Sequence, residues 1–241
     1  MKNRVQTSLI VTAAWLLLAA SCGQRQSQTA GEGNASLKFS KAEERNEISP
    51  ETLLLQRIYS QDIPGDAGYI GDLSEAYRYM DKTGENIVIL TETEVTTTED
   101  EDGNIVSYKA IYAYRFLKKN NKWEEAWRVL HYEDECINYP VAEFVKEAFA
   151  ITDLDKNGVA ETWLVFISSC HGDISPDKLF IRMDDGEAVY KMTGERRLKF
   201  SDDYIIGGSY AFDEKFTDSL TPQAFKEYAV KLWEKQVDRH H

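Results

Sequence analysis

From Asn86 to Tyr132 the chain alternates between apolar and polar positions with a period of two, the spacing of strands with one covered face. The alternation predicts strands over 86–98, 105–117 and 123–132. The acidic run Glu99–Asn104, with its Asp-Gly pair, and Lys118–Asn121 form the turns between them. Val106, Tyr108, Ala110, Tyr112, Tyr114 and Phe116 fall on one face of the second strand, and Trp123, Trp127 and Val129 on one face of the third. Three such strands in succession make an antiparallel meander. Beyond it the period changes. Val141, Phe144, Val145, Ala148 and Phe149 follow helical spacing after Pro140, which predicts a helix over 141–150. Residues 162–169 hold the continuous run Trp-Leu-Val-Phe-Ile, expected of a strand covered on both faces. Residues 178–183 and 188–192 read as a hairpin around Asp184-Asp185-Gly186. Thr221-Pro222 opens an amphipathic C-terminal helix whose stripe is Phe225, Tyr228, Ala229, Leu232 and Trp233. Residues 47–59 fit a short helix or an extended entry, and 61–71 a loop. The fold class expected is α+β, predominantly antiparallel sheet with a few packed helices.

A different pattern governs the first residues. Lys2 and Arg4 precede an apolar run from Leu9 to Ala20, and small residues lead into Cys22. This run is too short for a membrane span, which needs roughly 20 apolar residues. It has the layout of an export signal over 1–21 ending in a lipobox, with Ala19 where Leu is favoured and Cys22 as the lipidated residue. Residues 22–46 are polar and glycine-dotted, too poor in large apolar side chains to repay ordering, and read as the lipidated cysteine with its flexible tether. Residues 47–241 then form a single α+β domain.

Charge narrows the partners. Among 241 residues, 41 are acidic and 28 basic, a formal net charge of −13. Nucleic acid and anionic headgroups are disfavoured as partners. The cysteines sharpen the address. With Cys22 lipidated, Cys136 and Cys170 remain, a natural disulfide in an oxidising compartment or two buried thiols. As a bridge they would close a loop of roughly 35 residues and contribute about 3 kcal/mol.

Two loops carry candidate chemistry. In Asp153-Leu-Asp155-Lys-Asn157-Gly158-Val159-Ala-Glu161, oxygen side chains fall at places 1, 3, 5 and 9, with the Val159 carbonyl at 7 and glycine at 6. Hard Ca²⁺ takes several such oxygens. The spacing is similar to the Asp-x-Asp-x-Asn-Gly-x-x-Glu loops of extracellular β-repeat proteins, and implies a weak, structural Ca²⁺ site; a metal-free turn of Asx hydrogen bonds is the alternative. The second loop, Ser168 to Pro176, holds His171, Asp173 and Ser175. These are candidate ligand contacts. A Ser–His–Asp triad within one loop, with no Gly-x-Ser-x-Gly elbow, is disfavoured, and no catalytic residue is assigned. His131 reads as a core-edge histidine, His240 and His241 as a terminal pair that makes no metal site, and Glu99–Asp102 as a solvated tip.

Several segments resemble one family: Cys136, the run from Ala150 to Trp163, Cys170-His-Gly-Asp-Ile-Ser-Pro-Asp-Lys-Leu, Asp81 to Glu92, Tyr204-Ile-Ile-Gly-Gly and the C-terminal Phe/Trp helix. The family comprises exported and envelope lipoproteins of Bacteroidota labelled as surface polysaccharide biosynthesis proteins. The resemblance implies a membrane-anchored protein of the cell envelope, facing periplasm or cell surface, that serves polysaccharide assembly by binding a protein or glycan. It supplies no catalytic residues. Two other readings remain: a periplasmic glycan-active enzyme using His171 and Asp173, and a calcium-stabilised surface adhesion or inhibitor module.

Overall fold

The computed structural model describes residues 53–172, 174–201 and 203–238; the signal, Cys22, the tether, Asp173, His240 and His241 lie outside the described residues. The first sheet comprises β1 (Gln56–Ile58), β2 (Asp72–Asp81), β3 (Gly84–Glu92), β4 (Thr96–Glu99), β5 (Ile105–Lys119) and β6 (Lys122–Cys136). The chain then builds a second sheet from β7 (Tyr139–Phe144), β8 (Ala150–Thr152), β9 (Glu161–His171), β10 (Lys178–Asp184) and β11 (Val189–Glu195). A separate hairpin, β12 (Leu198–Ser201) with β13 (Tyr204–Ile206), precedes β14 (Tyr210–Phe212), which joins the second sheet at β11. Two helices close the described chain, α1 (Glu214–Thr217) and α2 (Gln223–Gln236). All strand pairings within the two large sheets are antiparallel, so the sheet-dominated α+β expectation holds.

The sheets face each other, and α2 lies on the far side of the second. Between the sheets pack Tyr77, Tyr79, Val88, Leu90, Ile111 and Ala113 from the first and Ala142, Phe144, Ile151, Leu164 and Phe166 from the second. Trp163, Val165, Leu179, Ile181, Met183 and Met192 point the other way, onto Phe225, Ala229, Leu232 and Trp233 of α2. The unbroken apolar run of β9 thus serves two cores. Trp163 and Val165 face the helix while Leu164 and Phe166 face the first sheet, as a period of two requires for a strand covered on both sides. A third cluster lies on the outer face of the first sheet. There Ile58, Ile63, Ala67 and Tyr69, before β2, cover Ile87, Ile89, Tyr114 and Phe116.

Three expectations need correction. The helix predicted over 141–150 is two strands, β7 and β8, both paired with β9. Glu147, between them, has φ 59°, incompatible with a continuing helix. Pro140 sits at the edge of the sheet, where its missing N–H is tolerated. The pairing partner overrode the local pattern. Second, 86–98 is not one strand. β3 and β4 lie end to end along β5, and at the break Thr93 Oγ1 accepts the Ala110 N–H while Thr93 N–H donates to the Ala110 carbonyl. Third, Trp123 does not share a face with Trp127 and Val129. The register of β5 and β6 shifts between Arg115 and Phe116. Such a bulge changes which face later residues point to. Trp123 therefore packs on the outer cluster, Trp127 and Val129 on the inner one.

The disulfide forms between Cys136, which ends β6, and Cys170, near the end of β9, with Cα atoms 5.5 Å apart. It ties the first sheet to the second. Lys109 makes a second tie: its ammonium lies 2.7 Å from Glu143 Oε1 on β7 and 3.8 Å from Glu92 Oε2 on β3. Burial pushes the Glu92 carboxyl above its ordinary range, against the pull of Lys109.

Candidate functional site

The acidic loop leads from β8 into β9. Carboxylate oxygens of Asp153, Asp155 and Glu161 lie within 4.8 Å of one another. Asx turns shape the loop. The Asp153 carboxylate accepts the Gly158 N–H at 3.2 Å, Asp155 Oδ1 accepts the Asn157 N–H at 3.1 Å, and Asn157 Oδ1 accepts the Val159 N–H at 2.6 Å. Lys156 and Gly158 take positive φ, 61° and 85°, which is where glycine belongs and lysine is strained. The far wall is the turn between β2 and β3. Lys82 N–H donates to the Gly158 carbonyl at 2.7 Å, and Asp81 Oδ2 accepts the Ala160 N–H at 3.0 Å.

Glu161 is wholly buried. It accepts from Thr152 Oγ1 at 2.6 Å, from Leu154 N–H at 2.9 and 3.0 Å, and from Asp155 N–H at 3.4 Å. Among the described residues no cation pairs with it. Burial raises its pKa, with the nearby Asp155 charge adding to the effect and the hydrogen bonds opposing it. The donor set is hard oxygen, and a divalent cation would balance a buried, uncompensated carboxylate. The residues present fit Ca²⁺ in that chemical sense. Beside the loop, Asp155, Asn157 and Val159 form one side of an open cleft of about 430 Å³, opposite Asp185–Glu187 and floored by Arg115.

The second predicted loop has a different centre. His171 Nε2 lies 3.0 Å from Asp177 Oδ1 and 3.2 Å from Ser169 Oγ, and Ser169 Oγ donates to the same Asp177 oxygen at 2.8 Å. A proton relay needs serine on one imidazole nitrogen and the carboxylate on the other. Here one nitrogen faces both groups, so the arrangement is a hydrogen-bonded knot that lacks the triad geometry. Asp177 is buried, and Arg196 NH1 approaches its other oxygen at 3.9 Å. Sequence reasoning missed Asp177. The chain leaves β9 at His171 and re-enters the sheet at Lys178, which returns Asp177 to the end of β9, and nothing in its spacing announces that. Ser175 and His171 line a neighbouring cavity of about 230 Å³. Ser168 Oγ donates to Glu133 across the two sheets.

His131 behaves as a core-edge residue: its ring packs 4.9 Å from Phe166 and 4.8 Å from Phe180. Burial holds its pKa below the ordinary value of 6.5. The outer face of β5 and β6, one side of the predicted alternation, is covered at its Tyr114 end and open at its Tyr132 end. Tyr108 and Tyr132 rings lie 5.8 Å apart, and Tyr112 and Tyr114 rings 6.0 Å apart. The Arg128 guanidinium lies 5.2 Å from the Tyr114 ring centre. Leu130 and Tyr132 are about half exposed, at 49% and 47%. Burial, then the adjoining Tyr112 hydroxyl, raises the Tyr108 pKa. Comparison with protein-family models, curated proteins and solved structures gives no significant match to this chain. No helix of the described residues is long and apolar enough to cross a membrane.

Proposed function

We propose that this chain is a lipid-anchored, non-enzymatic binding module of the cell envelope that holds a glycan on the tyrosine face of β5 and β6 in support of surface polysaccharide assembly. The anchor is Cys22, the tether 22–46, and the binding unit the two-sheet sandwich. The observation that carries the reading is the group Tyr108, Tyr112 and Tyr132 at the uncovered end of the outer face, where the Tyr108 and Tyr132 rings lie 5.8 Å apart and Tyr132 is about half exposed. Tyrosine presents a flat apolar ring with a hydroxyl at its rim. Such rings stack on the C–H faces of sugars while their hydroxyls meet sugar hydroxyls. A shallow surface group of this kind suits a segment of a sugar polymer. The Cys136–Cys170 bridge supports export, because such bonds persist in oxidising compartments. The lipoprotein-like first 22 residues and the envelope-family resemblance support the same address.

The test is binding of the full chain to a surface polysaccharide fraction by calorimetry, with Tyr108→Ala and Tyr132→Ala combined. Affinity should fall by about tenfold or more, as loss of aromatic anchors does at interfaces, while thermal stability stays close to wild type. Retained affinity in the double variant, or no glycan bound by the wild type, defeats the reading. The anchor is tested separately: Cys22→Ser should abolish fatty-acid incorporation and release the chain from membranes.

A second element of the proposal rests on the convergence of Asp153, Asp155 and Glu161. The loop holds a structural Ca²⁺ that fixes the joint between β8, β9 and the β2–β3 turn. Nothing in the glycan reading requires the ion to touch the ligand.

A further inference from the structure

The inner face of β6 carries a feature unrelated to the tyrosine face on its other side. Between β6 and strands β9, β10 and β11 lies a partly enclosed slot of about 180 Å³. One end is walled by three rings. Phe166 and Phe180 stack in near-parallel fashion at 4.9 Å, and His131 tilts against both. Arg182 and Lys191, paired across β10 and β11, complete the wall two residues along from Phe180, and Thr193 lies opposite Phe180.

Two of these side chains have polar nitrogens without a use. His131 Nε2 and Arg182 Nε are buried and lack a hydrogen-bond partner, and so does Trp127 Nε1, four residues back on the same face of β6. Buried polar atoms in folded proteins are nearly always partnered, and an exception asks for an explanation. Arg Nε–H and the indole N–H can only donate, so whatever satisfies them must bring acceptors. The charges agree. In a chain of net charge −13, neither Arg182 nor Lys191 has an ion-pair partner among the described residues. The nearest acidic influence on Arg182 is Asp184, whose carboxylate accepts the Gly186 N–H at 3.1 Å. Two uncommitted cations beside an aromatic wall suit a ligand with an anionic end and a flat apolar body. Size sets the limit. An apolar cavity on the order of 150 Å³ accepts benzene, so this slot has room for a single ring with a small substituent.

We infer that the slot between β6 and β10 is a binding site for a small planar carboxylate of one-ring size, its ring against His131, Phe166 and Phe180 and its carboxylate on Arg182 and Lys191. The bidentate fork of arginine suits a carboxylate. The site is independent of the glycan face, and either can stand without the other.

Benzoate and its neutral counterpart benzyl alcohol are the probes, titrated into the isotopically labelled full chain and followed by nuclear magnetic resonance. Benzoate should bind saturably, with benzyl alcohol about tenfold weaker for want of the charge-assisted bonds. Ring protons of bound benzoate should show through-space contacts to Phe180 and His131. Arg182→Met should weaken benzoate by about tenfold and leave benzyl alcohol unchanged. If that variant does not fold, the contacts and the comparison of the two probes on the unaltered chain decide the matter. Absence of saturable binding overturns the inference. So do equal affinities for the two probes, contacts to residues elsewhere, or a benzoate affinity indifferent to Arg182→Met in a folded variant.

Discussion

β9 and β6 are both long antiparallel strands of six-stranded sheets, yet they meet opposite surroundings: β9 pairs on both sides, and β6 is an edge paired only with β5. β9 is covered on both faces, by the first sheet on one side and by α2 on the other. β6 is covered mainly on its inner face, with Trp123 alone packed on the outer cluster among the hydrophobic clusters described: Leu130 and Tyr132 stay about half exposed where Trp163 and Leu164 of β9 are buried. Strand geometry is the same in both. What differs is the place in the sheet, central for β9 and edge for β6, and the closing element, a helix over one sheet and only the 58–69 segment over part of the other. The covered strand is buried in two cores, and the half-covered strand leaves aromatic surface open to solvent.

The contrast can be broken hardest at Trp163. It is fully buried, and its indole N–H donates to Thr152 Oγ1 at 2.8 Å. Trp163→Ala should cost about 4 kcal/mol in denaturant unfolding, whereas Tyr132→Ala on β6 should cost less than about 0.5 kcal/mol, as exposed substitutions do. Comparable losses at the two sites would erase the distinction. Next comes the bond that fastens β6 to β9. Replacing Cys136 and Cys170 together by serine should cost about 3 kcal/mol by loop-closure entropy, readable as a lowered denaturant midpoint. A smaller effect is expected at the joint below β9. At Ca²⁺ about tenfold above its dissociation constant, stability should rise by roughly 1.4 kcal/mol, and Asp153→Ala should remove that gain. A melting temperature indifferent to chelator and to millimolar Ca²⁺ would rule out the ion.

The smallest effect lies on the inner face of β6. Burial lowers the folded-state pKa of His131, so the folded chain favours neutral imidazole. Its contribution is fully present above the ordinary value of 6.5 and is lost as pH falls through the lowered folded value. His131→Phe, which keeps a ring between Phe166 and Phe180, should flatten the stability profile on that acid side. An unchanged profile would show that His131 does not titrate with folding.

Much of this contrast could be read in the residues. The unbroken run of β9 announced two-sided cover, whereas the alternation of β5 suggested one covered face and β5 is largely buried on both, Ile111 and Ala113 inward and Tyr114 and Phe116 under the 58–69 segment. The helical stripe from Phe225 to Trp233 became α2, with Phe225, Ala229, Leu232 and Trp233 buried. What could not be read was long-range. The bulge that turns Trp123 away from Trp127 depends on the register of β5. The strand at 139–144 carries helical spacing by accident and becomes a strand because β9 offers it an edge. The acidic loop was legible because its chemistry is contiguous. Asp177 was not, because its meeting with His171 is made by the path of the chain between two strands. The slot beside His131 was equally hidden, since its walls come from β6, β9, β10 and β11.

The position of α2 along the chain sets an order of events. Its residues 223–236 are synthesised after every strand of the sheet they cover, and Trp163 and Met183 lack the cover of α2 until they arrive. A growing chain makes its N-terminal portions first, so the sheet that needs the helix must wait, greasy side outward, for residues 223–236 to emerge. Premature stops anywhere before Phe225 would therefore yield a sticky, protease-sensitive product rather than a shortened working protein.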